Sequence, residues 1–321
     1  MRYVLRRFAQ LVLVVVVVTF LAAVALRFLP GGNDVIVAIR SGGGVTPEQY
    51  QAVVEELGLD KPILSQYFSW MGDFVSGDWG TTWTTNQSIS TEVKRALPIS
   101  TYLMVYGQFV ALAFAVPVAV WSAYRQNSRF DRVATTSAFG MLSLPNYIVA
   151  PVLMALFSVQ RKWVPFPSTY HSLWDDPVAH FKAFVLPAAT IAIPLYAGYM
   201  RLLRADMIGT LQSDFITTAR AKGVGTRRLL FGHALRPSLF SLVTSAAVNI
   251  GSLMGGVVIV EAFFLLNGMG RLTVESIFRH EYPTVQYSVV ILALIYVGIN
   301  FVVDLAYAWI DPRVRAGRAL G

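Results

Sequence analysis

Six apolar runs govern what this chain can fold into. They cover roughly Phe8–Leu26, Ser100–Ala123, Ala134–Val159, Phe184–Met200, Leu239–Val260 and Gln286–Ala308, and a helix needs about 20 residues to cross a bilayer core. In hydrocarbon every backbone N–H and C=O must be bonded within the protein, so runs of this kind are helices. The fourth is the weakest, being short and holding Pro187 and Pro194. Neighbouring helices can re-satisfy the carbonyls a proline frees, so a kinked span is expected there. Composition agrees: 55% of the residues are hydrophobic and only 14% charged, where a soluble domain carries about a quarter charged. The expected fold is an all-α membrane protein with six transmembrane helices. With no cysteine in 321 residues, disulfides, zinc–thiolate sites and thiol catalysis are excluded, and packing must hold the fold.

Net charge is +8, which raises nucleic acid as a partner, but loop charge gives it another meaning. With the N-terminus inside, the inner segments 1–7, 124–133, 201–237 and 309–321 hold 16 of the 26 Lys and Arg residues in 67 positions. The outer segments 27–99, 160–184 and 263–284 hold the other 10 in 120 positions. Cytoplasmic loops concentrate Lys and Arg, so both termini are expected in the cytoplasm and the basic excess reads as topology, with no nucleic-acid partner. "MRYVLRR" followed by an apolar stretch also resembles a signal peptide, with Ala23-Val24-Ala25 as a cleavage site. The stretch outruns a usual h-region of about 7–15 residues, which favours a retained anchor helix.

The first outer loop is the largest polar piece. Thr46 before Pro47 and Glu48 starts a helix and Gly58 stops one, predicting helix over 47–57. Tyr67, Trp70, Met71 and Phe74 recur at helical spacing and predict a second, amphipathic helix that ends in turns at Gly77 and Gly80. Spacing alone favours a small lid packing its own apolar stripe over a docking surface for an external partner. No phosphate-binding loop, dinucleotide fingerprint, H-E-x-x-H or G-x-S-x-G occurs. His171, His180, His233 and His280 fall on different loops and form no ligand pattern. Neither a catalytic site nor a metal site is expected, and no cofactor.

One segment is out of character with the rest. "TTARAKGVGTRR", 217–228, carries Arg220, Lys222, Arg227 and Arg228 without an acid, and Gly223 breaks it. It lies in the inner segment 201–237, whose acids are Asp206 and Asp214. Asp214 can cap a helix that runs through Ala219 to Lys222 and stops at Gly223. A second helix over about Val224–Leu235 would follow, with Val224, Phe231 and Leu235 aligned and Arg227 on their arc. Such a mixed face suits a groove on another protein. It equally suits an interfacial helix held on anionic lipid by its arginines.

Taken with other blocks, this segment resembles the "EAA" coupling loop of bacterial ABC-importer permeases, whose glycine-hinged helix pair inserts into a cleft on the ATPase subunit. Thr217-Thr218-Ala219 stand where Glu-Ala-Ala is usual, with the loop glycine at Gly223. Further blocks, "LRRF…FLPGG", "ELGLDKPILSQY", "GDWGTTW", "TARAKG…HALR", "VEAFF…GMGRL" and "DLAYAWIDPRVR", are similar to the B-type subunits of the peptide/nickel importer family, in that family's order and over nearly the whole chain. The resemblance implies a type I ABC-importer permease fold. It assigns 1–28 to an N-terminal transmembrane helix, 29–98 to an extracytoplasmic lid, 99–308 to the importer core and 309–321 to a cytoplasmic tail. It implies no enzyme activity in the chain itself. Peptides, nickel chelates or glutathione would be moved by ATP bound on two separate ATPase subunits, with a second permease subunit and an external substrate-binding protein, in the bacterial inner membrane. Thr217, Thr218, Ala219, Lys222, Gly223, Val224, Arg227, Arg228, Phe231 and His233 would form the coupling surface.

Departures from the family pattern are Asn267-Gly268 for Pro-Gly, His280-Glu281 for Arg-Asp, and a proline moved up to Pro237. Gly251 and Gly255 form a G-x-x-x-G suited to close helix packing. Asn249, Asn300 and Asp304 are polar groups within spans, costly unless they face protein or water. Asn249 is the candidate for pore or subunit contact. For Asp304, Arg313 and Arg315 near the inner interface are the expected partners, and Glu261 at the outer end of its span is expected to be wet. A stand-alone secondary transporter would need an inverted repeat and midplane acids, which are not evident.

Overall fold

The computed structural model describes residues 2–25, 32–41, 46–56 and 58–310. Along the chain run helices α1 (Arg2–Ala25), α2 (Gly32–Ser41), α3 (Pro47–Glu56), α4 (Ile63–Ser76), α5 (Ile89–Tyr124), α6 (Arg129–Leu142) and α7 (Asn146–Met154, continued as a π-helix over Ala155–Gln160). After them come α8 (Pro177–Leu211), α9 (Asp214–Ala221), α10 (Thr226–Arg228), a π-helical turn over Leu229–Ala234, α11 (Leu235–Phe264), α12 (Met269–Phe278) and α13 (Tyr282–Ile310). Five of these stretches are long and apolar enough to cross a membrane as single helices, and α6 with α7 makes a sixth only as a pair bent by 104°. The third apolar run is therefore broken. Pro145 lacks a donor and disfavours helix at the residue before it, and its own φ −68°, ψ 149° is extended. The expected tail from residue 311 onward, with Arg313 and Arg315, lies outside the described residues, as does the side chain of Asp304.

Two compact units divide the chain. The first comprises residues up to Pro98 together with Arg271–Leu305. In it, the Tyr67 hydroxyl from α4 shares a 3.0 Å hydrogen bond with Thr19 of α1, both buried, and the Tyr67 ring meets Phe20 edge-on. The α4 stripe read from spacing also forms an aromatic platform: Phe74, Trp79 and Tyr287 stack nearly parallel, and Trp70 leans on Phe74 and Tyr287. Gly77, at φ +81°, ends α4 as its sequence position suggests. Glu281, only 4% exposed, accepts the backbone N–H groups of Trp83 and Thr84, each at 2.6 Å. One carboxylate thus pins the Thr81–Ser88 turn to the start of α13.

The second unit is built on Ile99–Gly270. Its core follows a stripe the sequence carries openly: Gly107, Ala111, Ala115, Ala119 and Ala123, four apart on α5, the alanines all buried. A Cβ on Gly107 would come within 2.8 Å of Ile191 of α8, so only glycine fits there. Small residues at every fourth position let membrane helices approach closely without a hydrophobic driving force. The span that looks weakest in sequence, α8, runs unbroken through Pro187 and Pro194 and carries half of the twelve largest fully buried side chains, among them Tyr199, Phe184, Met200 and Leu203. His180, expected on a loop, sits in its first turn and is buried. Its Nδ1 faces the His171 carbonyl at 2.7 Å, which can only accept, so Nδ1 donates; Nε2 shares a 2.9 Å hydrogen bond with the Tyr106 hydroxyl.

Glu261 overturns the expectation of a wet site: it is completely buried. Ser100 donates its hydroxyl to the Glu261 carboxylate and accepts the Met269 N–H at 2.8 Å. The chain folds back over that carboxylate so closely that a Cβ on Gly268 would lie 2.3 Å from it, and one on Gly270 2.6 Å from the Val258 backbone.

Candidate functional site

The basic segment 217–228 leaves the end of α8 and turns on one glycine. Helix α9 begins at Asp214, and its N-cap residue is Ser213 rather than Asp214. It ends in a Schellman arrangement: the Gly223 N–H reaches the Arg220 carbonyl at 3.0 Å, and the Val224 N–H the Ala219 carbonyl at 3.2 Å. That closure needs the residue between to adopt a left-handed conformation, and Gly223 has φ +77°. Ala219 and Val224, the pair that meets across such a cap, are half-buried against the unit's core. Ile216, fully buried, anchors α9. Among the described residues, no heavy atom lies within 4 Å of where a Cβ on Gly223 would be.

The second helix differs from its sequence outline. It does not stop near Leu235 but runs from Thr226 through the π-helical turn into α11 without a break, 39 residues in all. The π-turn resets the facing. Leu229, Leu230 and Ala234 are buried, while Phe231, aligned by simple periodicity with Val224 and Leu235, is half exposed. Thr217, Thr218, Lys222, Arg227 and Arg228 are also exposed, and His233 is half-buried. Phe215, which periodicity did not single out, is half exposed on α9. Two exposed aromatic rings, four cationic side chains and a glycine hinge therefore share one segment.

Beside this segment lies a cavity of about 710 Å³, lined among others by Tyr124, Arg125, Leu211, Arg220, Val224 and Leu229. Among the described residues Arg125 and Arg220 line it and no acid does, so its charge is positive. Its rim is fixed by Asp131, 3% exposed, which accepts Arg204 Nε at 2.6 Å, Arg204 Nη2 at 2.8 Å and the Asn127 N–H at 2.8 Å, together with the Ser122 hydroxyl. These bonds onto one carboxylate tie the α5–α6 turn to α8, the helix that leads into α9. The sequence offered Asp131 and Arg204 only as loop charges; 73 positions separate them, and no local pattern links them.

The remaining candidates are not gathered at this site. Asn249 donates to the Tyr199 hydroxyl at 3.1 Å, Tyr199 donates to Gln108 at 3.0 Å, and Gln108 donates to the Ala246 carbonyl at 3.3 Å, a ladder across α5, α8 and α11. Asn300 donates to the Tyr296 carbonyl one turn back. Gly251 is buried, whereas Gly255 is exposed with open space at its Cβ position.

Comparison with known proteins adds what geometry does not carry. Residues 115–316 match the family described as binding-protein-dependent transport system inner membrane component, and residues 1–103 match the N-terminal description of such membrane components. The chain is 33% identical to a putative peptide transport system permease protein of Brucella abortus, over 97% of this chain and 98% of that one. It is 32% identical to an oligopeptide transport system permease protein of Bacillus subtilis, over 98% and 99%. It is 31% identical to a glutathione transport system permease protein of Pectobacterium atrosepticum, over 98% and 99%.

Proposed function

This chain belongs to the binding-protein-dependent transport system inner membrane components, and from that membership we propose that it forms part of the translocation path of an ABC importer for dipeptides and oligopeptides. The observation that carries the substrate class is end-to-end similarity to relatives named for peptide transport. Glutathione, itself a small peptide, is the second reading, favoured by the relative named for it. The chain is a multi-pass inner membrane permease subunit that works with ATPase and substrate-binding partners. The assembly we propose has one further permease subunit of similar kind, two ATPase subunits and one external binding protein. Both termini and the 201–237 loop face the cytoplasm, and residues 29–98 face outward, with 99–308 as the core. ATP is held by the ATPase subunits, and this chain brings neither a cofactor nor catalysis of its own.

In this reading the Gly223 hinge and the exposed Phe215, Phe231, Arg227 and Arg228 enter a cleft on the ATPase. Exposed aromatic and arginine side chains are the groups that anchor protein interfaces. Motion in the cleft would pass through α8 and α11, because α9 and the π-turn are continuous with or closed onto those helices. The test is reconstitution of the four kinds of subunit in proteoliposomes. ATP should drive uptake of labelled peptides, and the chain alone should hydrolyse no ATP. Uptake driven by an ion gradient with no ATPase present would make it a secondary transporter instead.

A further inference from the structure

The ladder from Asn249 to the Ala246 carbonyl can run in one direction only. A carbonyl accepts and never donates, so Gln108 must turn its Nε2 to Ala246 and its Oε1 to Tyr199. The single Tyr199 hydroxyl proton then goes to Gln108 Oε1, and the Tyr199 oxygen is left to accept from Asn249 Nδ2. This order fixes which way the Asn249 amide points, a choice that shape alone leaves open. Its Nδ2 faces into the protein and its Oδ1 is the free end. Among the described residues none donates to Oδ1, and that oxygen reaches the surface of the chain.

Asn249 lies midway along the apolar run Leu239–Val260, so at 1.5 Å per residue it sits roughly 15 Å from either end. A free amide acceptor at that depth is costly against hydrocarbon, and is kept where it meets water or a polar ligand. The same edge of α11 continues through exposed Ser252 to Gly256, one and two turns on. A Cβ on Gly256 would come 3.9 Å from Asn146 Nδ2, so the break between α6 and α7 borders this edge. Ser143 and Leu144 at that break are exposed and non-helical, near the middle of the third apolar run. Irregular backbone at membrane depth is tolerated only inside protein or along a water-filled cavity, and this chain leaves it uncovered. An outward-facing acceptor and an uncovered helix break thus meet along one seam.

We propose that this seam lines the middle of the peptide path, and that Asn249 Oδ1 accepts the backbone N–H groups of a passing peptide. Every residue but proline carries such an N–H whatever its side chain, so one fixed acceptor suits cargo that varies in sequence. Tyr199 and Gln108 are positioning residues: they hold the amide so that its oxygen, and not its NH2, faces the cargo. The inference rests on the peptide-import reading.

The test uses the complete transporter in proteoliposomes, with binding protein, ATP and a tryptic peptide digest as cargo. This chain has no cysteine, so the thiol of Ser252→Cys is the only one in its gel band. A charged methanethiosulfonate reagent reads whether that thiol meets water. It should react, and cargo supplied with binding protein and ATP should slow the reaction. Asn249→Ala should assemble and keep its ATP hydrolysis, yet move about two- to tenfold less peptide per ATP, the loss of one hydrogen bond. A merely structural role would lower assembly, hydrolysis and uptake together. If Asn249→Ala does not assemble, labelling at 252 decides by itself. No labelling there while peptides are imported means that lipid or a neighbouring subunit covers the seam. Labelling that cargo does not slow, or native transport per ATP in the alanine variant, means that the seam recognises no peptide. Each of these results overturns the inference and leaves the import reading standing. If no peptide is imported, the import reading falls and this inference with it.

Discussion

Backbone conformation at single residues decides more here than side-chain chemistry. Gly223 occupies the left-handed region in open space, so a Cβ there meets no atom of the described residues and suffers the conformational penalty, about 1–2 kcal/mol. Gly223→Val should therefore leave membrane insertion intact while weakening ATPase co-purification and abolishing ATP-driven uptake, with Gly223→Asn much milder. Native assembly and native transport in the valine variant would show that the hinge transmits nothing. Gly268 presents the opposite case, since its added Cβ would collide with the buried Glu261 carboxylate; Gly268→Ala should lower thermal stability in detergent. His280 closes the end of α12 at φ +59° by the same cap geometry as Gly223, with Glu281 N–H bonded to the Ser276 carbonyl at 2.8 Å. His280→Gly should relieve strain and raise stability by up to about 1 kcal/mol, read as a higher melting temperature.

Elements differ in how they meet their surroundings, and substitutions should report the difference. On α5 the alanine stripe faces protein, while Phe114 beside it is 63% exposed. Ala115→Leu should overpack that seam at a cost of about 1–3 kcal/mol, while Phe114→Leu should be near neutral, both measured by thermal unfolding in detergent. Around the basic segment the π-turn sets up the same contrast. Leu230→Ala removes core packing and should cost about 2–5 kcal/mol. Phe231→Ala should fold normally yet lose ATPase association, because that ring is half exposed. Helical periodicity aligned Phe231 with Val224 and Leu235; one π-turn shifts the residues after Arg228, so that ring is half exposed while those two pack partly against the core. The α6–α7 break was legible in Pro145 but lay inside a continuous apolar run, and hydropathy does not register a bend.

Across the whole molecule, the loop-charge bias predicts sidedness directly. In this cysteine-free chain, a cysteine at exposed Ser76 should react with an impermeant maleimide in intact cells, and one at exposed Gln212 should not. Reaction at 212 together with protection at 76 would invert the proposed topology. The sequence by itself determined the membrane class, the start and stop of α3, the helical periodicity of α4, the glycine hinge and the family, because each depends on composition or on residues close together along the chain. It could not determine which charges are buried. Asp131 finds Arg204, Glu281 finds the backbone at Trp83 and Thr84, and Glu261 finds Ser100, at separations of 73, 198 and 161 positions for the bonds to Arg204, Trp83 and Ser100. Read locally, each of these acids looks like a hydrated loop or helix-end charge. Only tertiary packing removes the water and supplies donors from distant segments, so the cost and the compensation of burying a carboxylate are both settled by the fold. The proline-bearing α8, whose apolar run is short in sequence, follows the same physics: its apolar stretch is half buried against protein, which can satisfy and pack what lipid cannot.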